Sequence, residues 1–337
     1  MAWYNLSGES PDTVISTRVR FARNLTGHNF DSTLGEKGAR EIIGKISDIF
    51  TPALGFEHVD LDEKNKLEAL SFVEKHFISR EFAAKKTPHA LLLSRKFNTA
   101  IMVCEEDHVR LQTILPGLAL NEAYEDLCRF DDLLDSSVEI AYDEKLGYLT
   151  HCPTNLGTGM RASVMMFLPA LTMANQIGGI AAQLSKIGLT IRGMYGEGSE
   201  SRGSLYQISN QVTLGVSEEE TIRKLGEITG QISNRERKLR TTLKEESFDS
   251  LKDKVFRAEG TLRYAHMLSS SETTELFSLV RLGVSLGIIE DVDYSTLSRI
   301  LVETLPATLT LESEYRPKDE TERDILRATK IKAVLSA

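Results

Sequence analysis

The spacing of apolar and polar positions changes along this chain. Residues 14–20 alternate, with Ser16, Arg18 and Arg20 on one face and Ile15, Thr17 and Val19 on the other, which is the period of a strand. Ile42, Ile43, Ile46, Ile49 and Phe50 recur at helical spacing, and residues 67–77 repeat that pattern less cleanly, ending at His76. Residues 90–93, 99–104 and 109–115 read as three strands, and Leu120, Ala123, Tyr124, Leu127 and Leu134 mark an amphipathic helix. A hairpin is expected from 138–142 and 146–151 about Asp143, Glu144 and Lys145. Arg161 then opens a helical pattern that Pro169 should kink or restart. Residues 189–195 and 205–214 read as closing strands, joined by the glycine- and serine-rich GEGSESRG. From Ser217, with Glu220 as its capping-box partner, the chain turns helical over 217–246, 249–269, 272–288 and 294–304, with a last helix capped by Asp319. The expected class is α+β: an antiparallel sheet flanked by helices over residues 1–220, then a helical C-terminal region over 221–337.

At 337 residues and 37.6 kDa the chain has room for one large domain or two ordinary ones. No apolar run is long enough to span a bilayer, and the start MAWYNLSGESPDT lacks the basic and apolar regions of a secretory signal, so the expected location is cytoplasmic, with no membrane partner. A net charge of -9 argues against direct nucleic-acid binding. The local basic group Arg235, Arg237, Lys238 and Arg240 reads as a solvated helix face. Cys104, Cys128 and Cys152 show no C-x-x-C and no paired Cys/His spacing, so neither a disulfide framework nor a structural zinc site is expected. No Walker A motif occurs, and the third glycine of GEG is misplaced for a dinucleotide fingerprint.

Candidate chemistry centres on residues 151–165, HCPTNLGTGMRASVM. A cysteine ahead of an expected helix start, with an arginine close by, sits where dipole and charge both favour the thiolate. The Arg18 and Arg20 pair on one strand face suits an anion. In EEDH, Glu105 and Asp107 read as a solvated turn.

HCPTNLGTGMRASV resembles the cysteine signature of the phosphagen (ATP:guanido) kinases, and STRVR (16–20), KHF (75–77), CEEDHVR (104–110) and IRGMYGE (191–197) match the same family in order. Within it the chain most resembles the bacterial protein arginine kinases, by its short lead before STRVR, by GEGSES and by RDILRA near the end. The resemblance implies a glutamine-synthetase-like catalytic domain that transfers the γ-phosphoryl group of ATP, with Mg2+, to arginine side chains of proteins. It assigns Glu106 and Glu197 to gripping the acceptor guanidinium and Cys152, as a thiolate, to orienting it. It assigns ATP to Ser16, Thr17, Arg18, Val19, Arg20, His76, Arg110, Arg161, Ala162, Ser163, Val164, Met165, Arg192, Gly193, Met194, Tyr195, Gly196 and Glu197. Metal ligands from the protein are not expected, because magnesium rides on phosphate oxygens and water. Arg323, Asp324, Arg327 and Ala328 correspond to an allosteric phosphoarginine pocket; read without the resemblance they would be an exposed, charge-laced helix. Implied partners are arginine-containing proteins, a zinc-finger activator, a Clp ATPase whose protease removes marked proteins under stress, and further copies of the chain in a homodimer or higher oligomer. Only fifteen residues precede STRVR, which leaves the acceptor side open to a polypeptide. Two other readings remain: a kinase of small guanidino compounds, and a non-catalytic phosphoarginine-binding adaptor.

Overall fold

A computed structural model of the protein describes residues 2–61, 66–94, 96–194 and 201–335. The chain runs β1 (Val14–Arg23), α1 (Asp31–Leu54), β2 (Glu57–Asp60), α2 (Lys66–Glu74), α3 (Arg80–Ala83), β3 (Ala90–Ser94), β4 (Thr99–Val103), β5 (Val109–Pro116) and α4 (Leu120–Ser137). A short hairpin follows, β6 (Tyr142–Asp143) with β7 (Gly147–Tyr148), then β8 (Met160–Phe167), α5 (Pro169–Met173), α6 (Ile177–Lys186), β9 (Leu189–Gly193) and β10 (Leu205–Asn210). The rest is helical: α7 (Glu218–Tyr264), α8 (Ser270–Ser285), α9 (Tyr294–Glu303), α10 (Pro306–Glu312) and α11 (Glu320–Leu335). Eight strands form one antiparallel sheet in the order β2-β3-β4-β5-β1-β8-β10-β9.

The sheet buries one face against α1, α4, α6 and the first half of α7. Val19, Phe21, Leu111, Ala162, Val164 and Ile208 supply the strand side of that core, and Ile42, Ile46, Phe50, Leu127, Leu184 and Leu225 the helix side. The other face is divided. Over β3 and β4 it carries Leu91, Leu93, Ala100 and Met102, packed under Phe72, Phe77 and Phe82 and the C-terminal Leu282, Leu286 and Val302. Over β5, β1, β8 and β10 it is mixed, the arginines and Gln112 sharing it with Ile114, Met165, Phe167 and Leu205.

Residues 160–167 form a strand and not the helix expected to open at Arg161. Every residue from Ala162 to Phe167 is buried, so the alternation that would have marked a strand is lost, as it is wherever both sheet faces are covered. The helix begins at Pro169, in the first turn, where a missing N–H is not needed. The edge strand β2 and the short α10 were not expected. The expected hairpin is reduced to two-residue strands.

Helix α7 is capped as expected, Ser217 Oγ accepting from the N–H of Glu220 at 3.1 Å, and its dihedrals break at Ser247, where the sequence pattern also breaks. Ile222, Leu225 and Ile232 before the break belong to the sheet core, whereas Val255, Ala258 and Leu262 beyond it pack with α8, α9 and α11. The basic group on α7 is only partly a solvated face. Arg237 pairs with Asp12 at 2.7 Å, and Arg240 is buried against Glu236, itself fully buried and accepting from the backbone N–H groups of Ala170 and Leu171. These helix residues cap α5 and hold the approach to β1, which the linear charge pattern alone does not reveal.

Candidate active site

Register places the arginines. Arg20 on β1 lies directly between Gln112 of β5 and Arg161 of β8, and Arg18 is opposite Ser163. Arg110 precedes Gln112 by two on the same face, and Arg192 of β9 is opposite Gln207, which is itself opposite Met165. Five guanidiniums therefore stand on one sheet face. Arg18 Nη2 donates to Gln207 Oε1 at 3.1 Å, whereas the buried Nε atoms of Arg20 and Arg161 have no hydrogen-bond partner. Burial, then Arg110 and Arg161, bring Arg18 down to about 10. Burial, then Arg18, Arg110 and Arg161, hold Arg20 well below the usual arginine range, and burial with Arg192 and Arg110 lowers Arg161. Like charges are being held together out of water, an arrangement that an incoming polyanion relieves.

The acidic side is built by the β4–β5 turn. Cys104 takes a left-handed conformation (φ 58°) and its N–H bonds the carbonyl of His108 at 2.8 Å, which folds the acids inward. The reading of Glu105 and Asp107 as a solvated turn is thereby overturned. Asp107 is fully buried, its Oδ1 accepting at 2.7 Å from Asn24 Nδ2 and from the backbone N–H of His151, so one carboxylate ties the end of β1 to the cysteine loop. Glu105 accepts from Ser79 Oγ at 2.5 Å and pairs with Arg110. Glu106 stays half-exposed, 3.4 Å from Arg110 Nη2 and 3.8 Å from His151 Nδ1.

Cys152 precedes a single 3-10 turn, Pro153–Asn155, and not an α-helix, so no helix dipole acts on it. Its Sγ lies 3.1 Å from Thr154 Oγ1, and Arg161 is within electrostatic reach of both Cys152 and Glu106. A cavity of about 500 Å³ gathers Arg20, Arg110, Arg161, Glu106, Cys152 and Asn155 into one wall. Cationic groups, a carboxylate and a thiol thus share one space.

Other residues assigned to ATP distribute less uniformly. Thr17, Val19, Ala162 and Val164 point into the core, Thr17 Oγ1 being engaged by the carbonyl of Gly117 at 2.7 Å and the N–H of Ala119 at 3.0 Å. Ser16, Ser163 and Met165 stand on the arginine face. His76, at φ 64°, packs its ring against Trp3; burial, then Arg18, lower it to about 3, so it is neutral. Arg192 is exposed at the sheet edge, Gly193 ends β9, and Met194 packs against the core under the C-terminal helices. Tyr195, Gly196 and Glu197 lie outside the described residues. Sequence reasoning missed Gln112, whose Nε2 donates to the carbonyls of His76 at 2.8 Å and Phe77 at 3.2 Å; its place two residues past Arg110 was the available signal. It also missed Asn24, the partner of Asp107 83 residues away.

In the C-terminal helices Asp319 caps α11 as expected, at 2.9 Å to the N–H of Glu322. Asp324 and Arg327 are buried and paired with each other, so they are no exposed charged face. Arg327 also donates to the carbonyls of Thr304 at 2.8 Å and Leu268 at 2.7 Å. Ala328 is fully buried, and Arg323 is half-buried.

Comparison with known proteins places this geometry. The ATP:guanido phosphotransferase C-terminal catalytic domain matches residues 39–239, and the protein-arginine kinase McsB C-terminal domain matches residues 248–337. A protein-arginine kinase of Brevibacillus brevis is 45% identical over 91% of this chain and 88% of its own, and one of Clostridium acetobutylicum is 43% identical over 97% of each. The crystal structure of a lombricine kinase shares the fold, with a TM-score of 0.61 at 23% identity over 69% of this chain and 68% of that one. The chain therefore belongs to the ATP:guanido phosphotransferase family and, within it, to the protein-arginine kinases.

Proposed function

We propose that the protein transfers the γ-phosphoryl group of ATP to a guanidinium nitrogen of arginine residues in other proteins. The observation that carries this reading is the convergence of Arg18, Arg20, Arg110, Arg161 and Arg192 on one face beside Glu106 and Cys152. Phosphoryl transfer is largely positioning and charge stabilisation, and planar guanidinium forks meet phosphate oxygens bidentately. The unpartnered Nε atoms of Arg20 and Arg161 fit a triphosphate. Magnesium would ride on the phosphate oxygens and water, needing few ligands from the protein, and would supply further charge neutralisation.

The acceptor guanidinium would lie against Glu106 and Cys152, with Glu197 as the second carboxylate. As the N–P bond forms and the bond to the ADP oxygen breaks, the attacking nitrogen loses a proton, and carboxylates that accept its N–H bonds both orient the plane and receive that charge. Arg323, Asp324, Arg327 and Ala328 would form a regulatory phosphoarginine site in which Arg323, whose guanidinium has no acidic partner among the described residues, meets the phosphate. The two matched domains and the Ser247 break support a catalytic part and a helical regulatory part joined within α7. Marking of proteins for a Clp protease under stress in the cytoplasm, a zinc-finger activator and assembly into a homodimer or higher oligomer belong to the same proposal.

The test is incubation with ATP and either an unfolded arginine-rich protein or free arginine, followed by phosphosite mass spectrometry under non-acidic conditions. Phosphoarginine on the protein supports the reading. Phosphorylation of free arginine alone would move it to the small-guanidino kinases, and ATP binding without any ADP release would leave an adaptor.

A further inference from the structure

A second cavity, of about 1040 Å³, adjoins the first and shares Arg20, Glu106 and Arg110 with it. Its own wall is Asp31, Ser79, Glu81, Phe82, Lys85 and Glu105, contributed by the start of α1, by α3 and by the β4–β5 turn. Of the cations around it, Lys85 and Arg110 are already engaged and Arg20 is not. Lys85 Nζ meets Asp31 Oδ2 at 2.6 Å and donates to the carbonyl of Glu105 at 2.7 Å, and Arg110 is held by Glu105 and Glu106. Of the carboxylates, Asp31, Glu105 and Glu106 have cationic partners among the described residues and Glu81 does not. Glu105 is nine-tenths buried, yet its Oε2 accepts no hydrogen bond and meets Arg110 by charge alone. Glu81, exposed in the first turn of α3, has no cationic partner among the described residues. The phosphate-binding arginines pave the sheet face, so a chain that reaches Glu106 without crossing them comes along this wall.

We infer that this cavity is the subsite for the polypeptide flanking the target arginine, and that Glu81 selects acceptors with a second cationic side chain close in sequence. The inference rests on the protein-arginine kinase reading and names the substrate class that reading leaves open. A lysine or arginine beside the target brings its charge to Glu81, whereas an acidic neighbour meets Glu81 and Glu106 as like charges. Glu81 is a specificity residue here and touches no reacting atom.

The experiment uses the full chain, ATP and three peptides that differ only in the residues flanking one arginine: lysine, alanine or glutamate. Acid-labile phosphate is followed in wild type, Glu81→Gln and Glu81→Lys. The expected result is a wild-type kcat/KM higher for the lysine peptide than for the alanine peptide by up to roughly fivefold, the reach of one exposed ion pair, and residing in the acceptor KM. Glu81→Gln should flatten that ratio and Glu81→Lys invert it, and added salt should erode it in wild type. Equal lysine-to-glutamate ratios in wild type and Glu81→Lys would overturn the subsite while leaving the kinase reading intact. ADP release with none of the peptides phosphorylated would overturn both. Glu81 is exposed, so folding of the variants is checked by their thermal unfolding and bears on neither outcome.

Discussion

Arg20 and Arg327 are both largely withdrawn from water and meet opposite fates. Arg327 is 1% exposed and well partnered, its Nε donating to the carbonyl of Thr304 and its Nη1 to the carbonyl of Leu268 and to Asp324. Arg20 has no hydrogen bond among the described residues and faces Arg18, Arg110 and Arg161. A guanidinium matched to a carboxylate and carbonyls holds the fold together, and one left among like charges suits an anion. Arg23 belongs with Arg327, its fork meeting Asp131 at 2.6 and 2.9 Å while its plane lies 3.5 Å over the ring of Tyr148. Chemical identity does not separate these arginines; their partners do.

The sharpest way to break the comparison is Arg20→Met. If the cluster exists for the triphosphate, this substitution lowers kcat/KM for ATP by about 10²–10³-fold, the scale of removing one preorganised charge-stabilising donor. Thermal unfolding should show the variant at least as stable as wild type, because no hydrogen bond is orphaned and a repulsion is removed. A variant that unfolds well below wild type would place Arg20 with the structural arginines. Arg327→Met should do the reverse, costing about 3–5 kcal/mol in denaturant unfolding by stranding Asp324 and two carbonyl oxygens. If stability were unchanged, the partners around Arg327 would not be holding the C-terminal helices.

ATP itself sharpens the contrast. Ligand that binds only the folded chain stabilises it by RT ln(1 + [L]/Kd), about 2.7 kcal/mol at a hundredfold excess over Kd. Wild type should show that upward shift in thermal unfolding with the nucleotide, and Arg327→Met should show a shift of the same size from its lower starting point. Arg20→Met should show little at the same nucleotide concentration. A full shift in Arg20→Met would mean that the triphosphate binds elsewhere.

Much of this was legible in the sequence, and the failures have physical causes. Alternation in β1 put Ser16, Arg18 and Arg20 on one face, but Ile15, expected with Thr17 and Val19, packs in the other cluster because the strand bulges between Val14 and Ser16. The same reasoning failed for β8, where Ser163 and Met165 are buried on the arginine face as fully as Ala162 and Val164 are in the core. Asp107 resembled a solvated acid because its partners, Asn24 and His151, come from distant segments that only the folded sheet joins. The RDILRA motif, read alone, suggested an exposed helix; its arginine at 327 is buried because the C-terminal helices close around it, a tertiary effect with no local signature.

The smallest expected effect concerns His76, a titratable ring set against the arginine cluster. Burial and the charge of Arg18 lower it to about 3, whereas in the unfolded chain it titrates near the ordinary histidine value of about 6.5. Between those values the unfolded chain holds the extra proton. The folded state therefore loses stability as pH falls through that window, by at most about 1.4 kcal/mol per pH unit for one proton, and above pH 7 the contribution is fully present. Other groups titrate over the same range, so the quantity to measure is the difference between wild type and His76→Gln in denaturant unfolding at pH 7, 6 and 5. His76→Gln should show the shallower pH dependence, and saturating ATP should shrink the gap, since phosphate beside Arg18 offsets the charge that opposes the imidazolium. Parallel pH profiles for the two proteins would mean that the ring is not held neutral, and that the field of the arginine cluster does not extend to the helix end at which His76 sits.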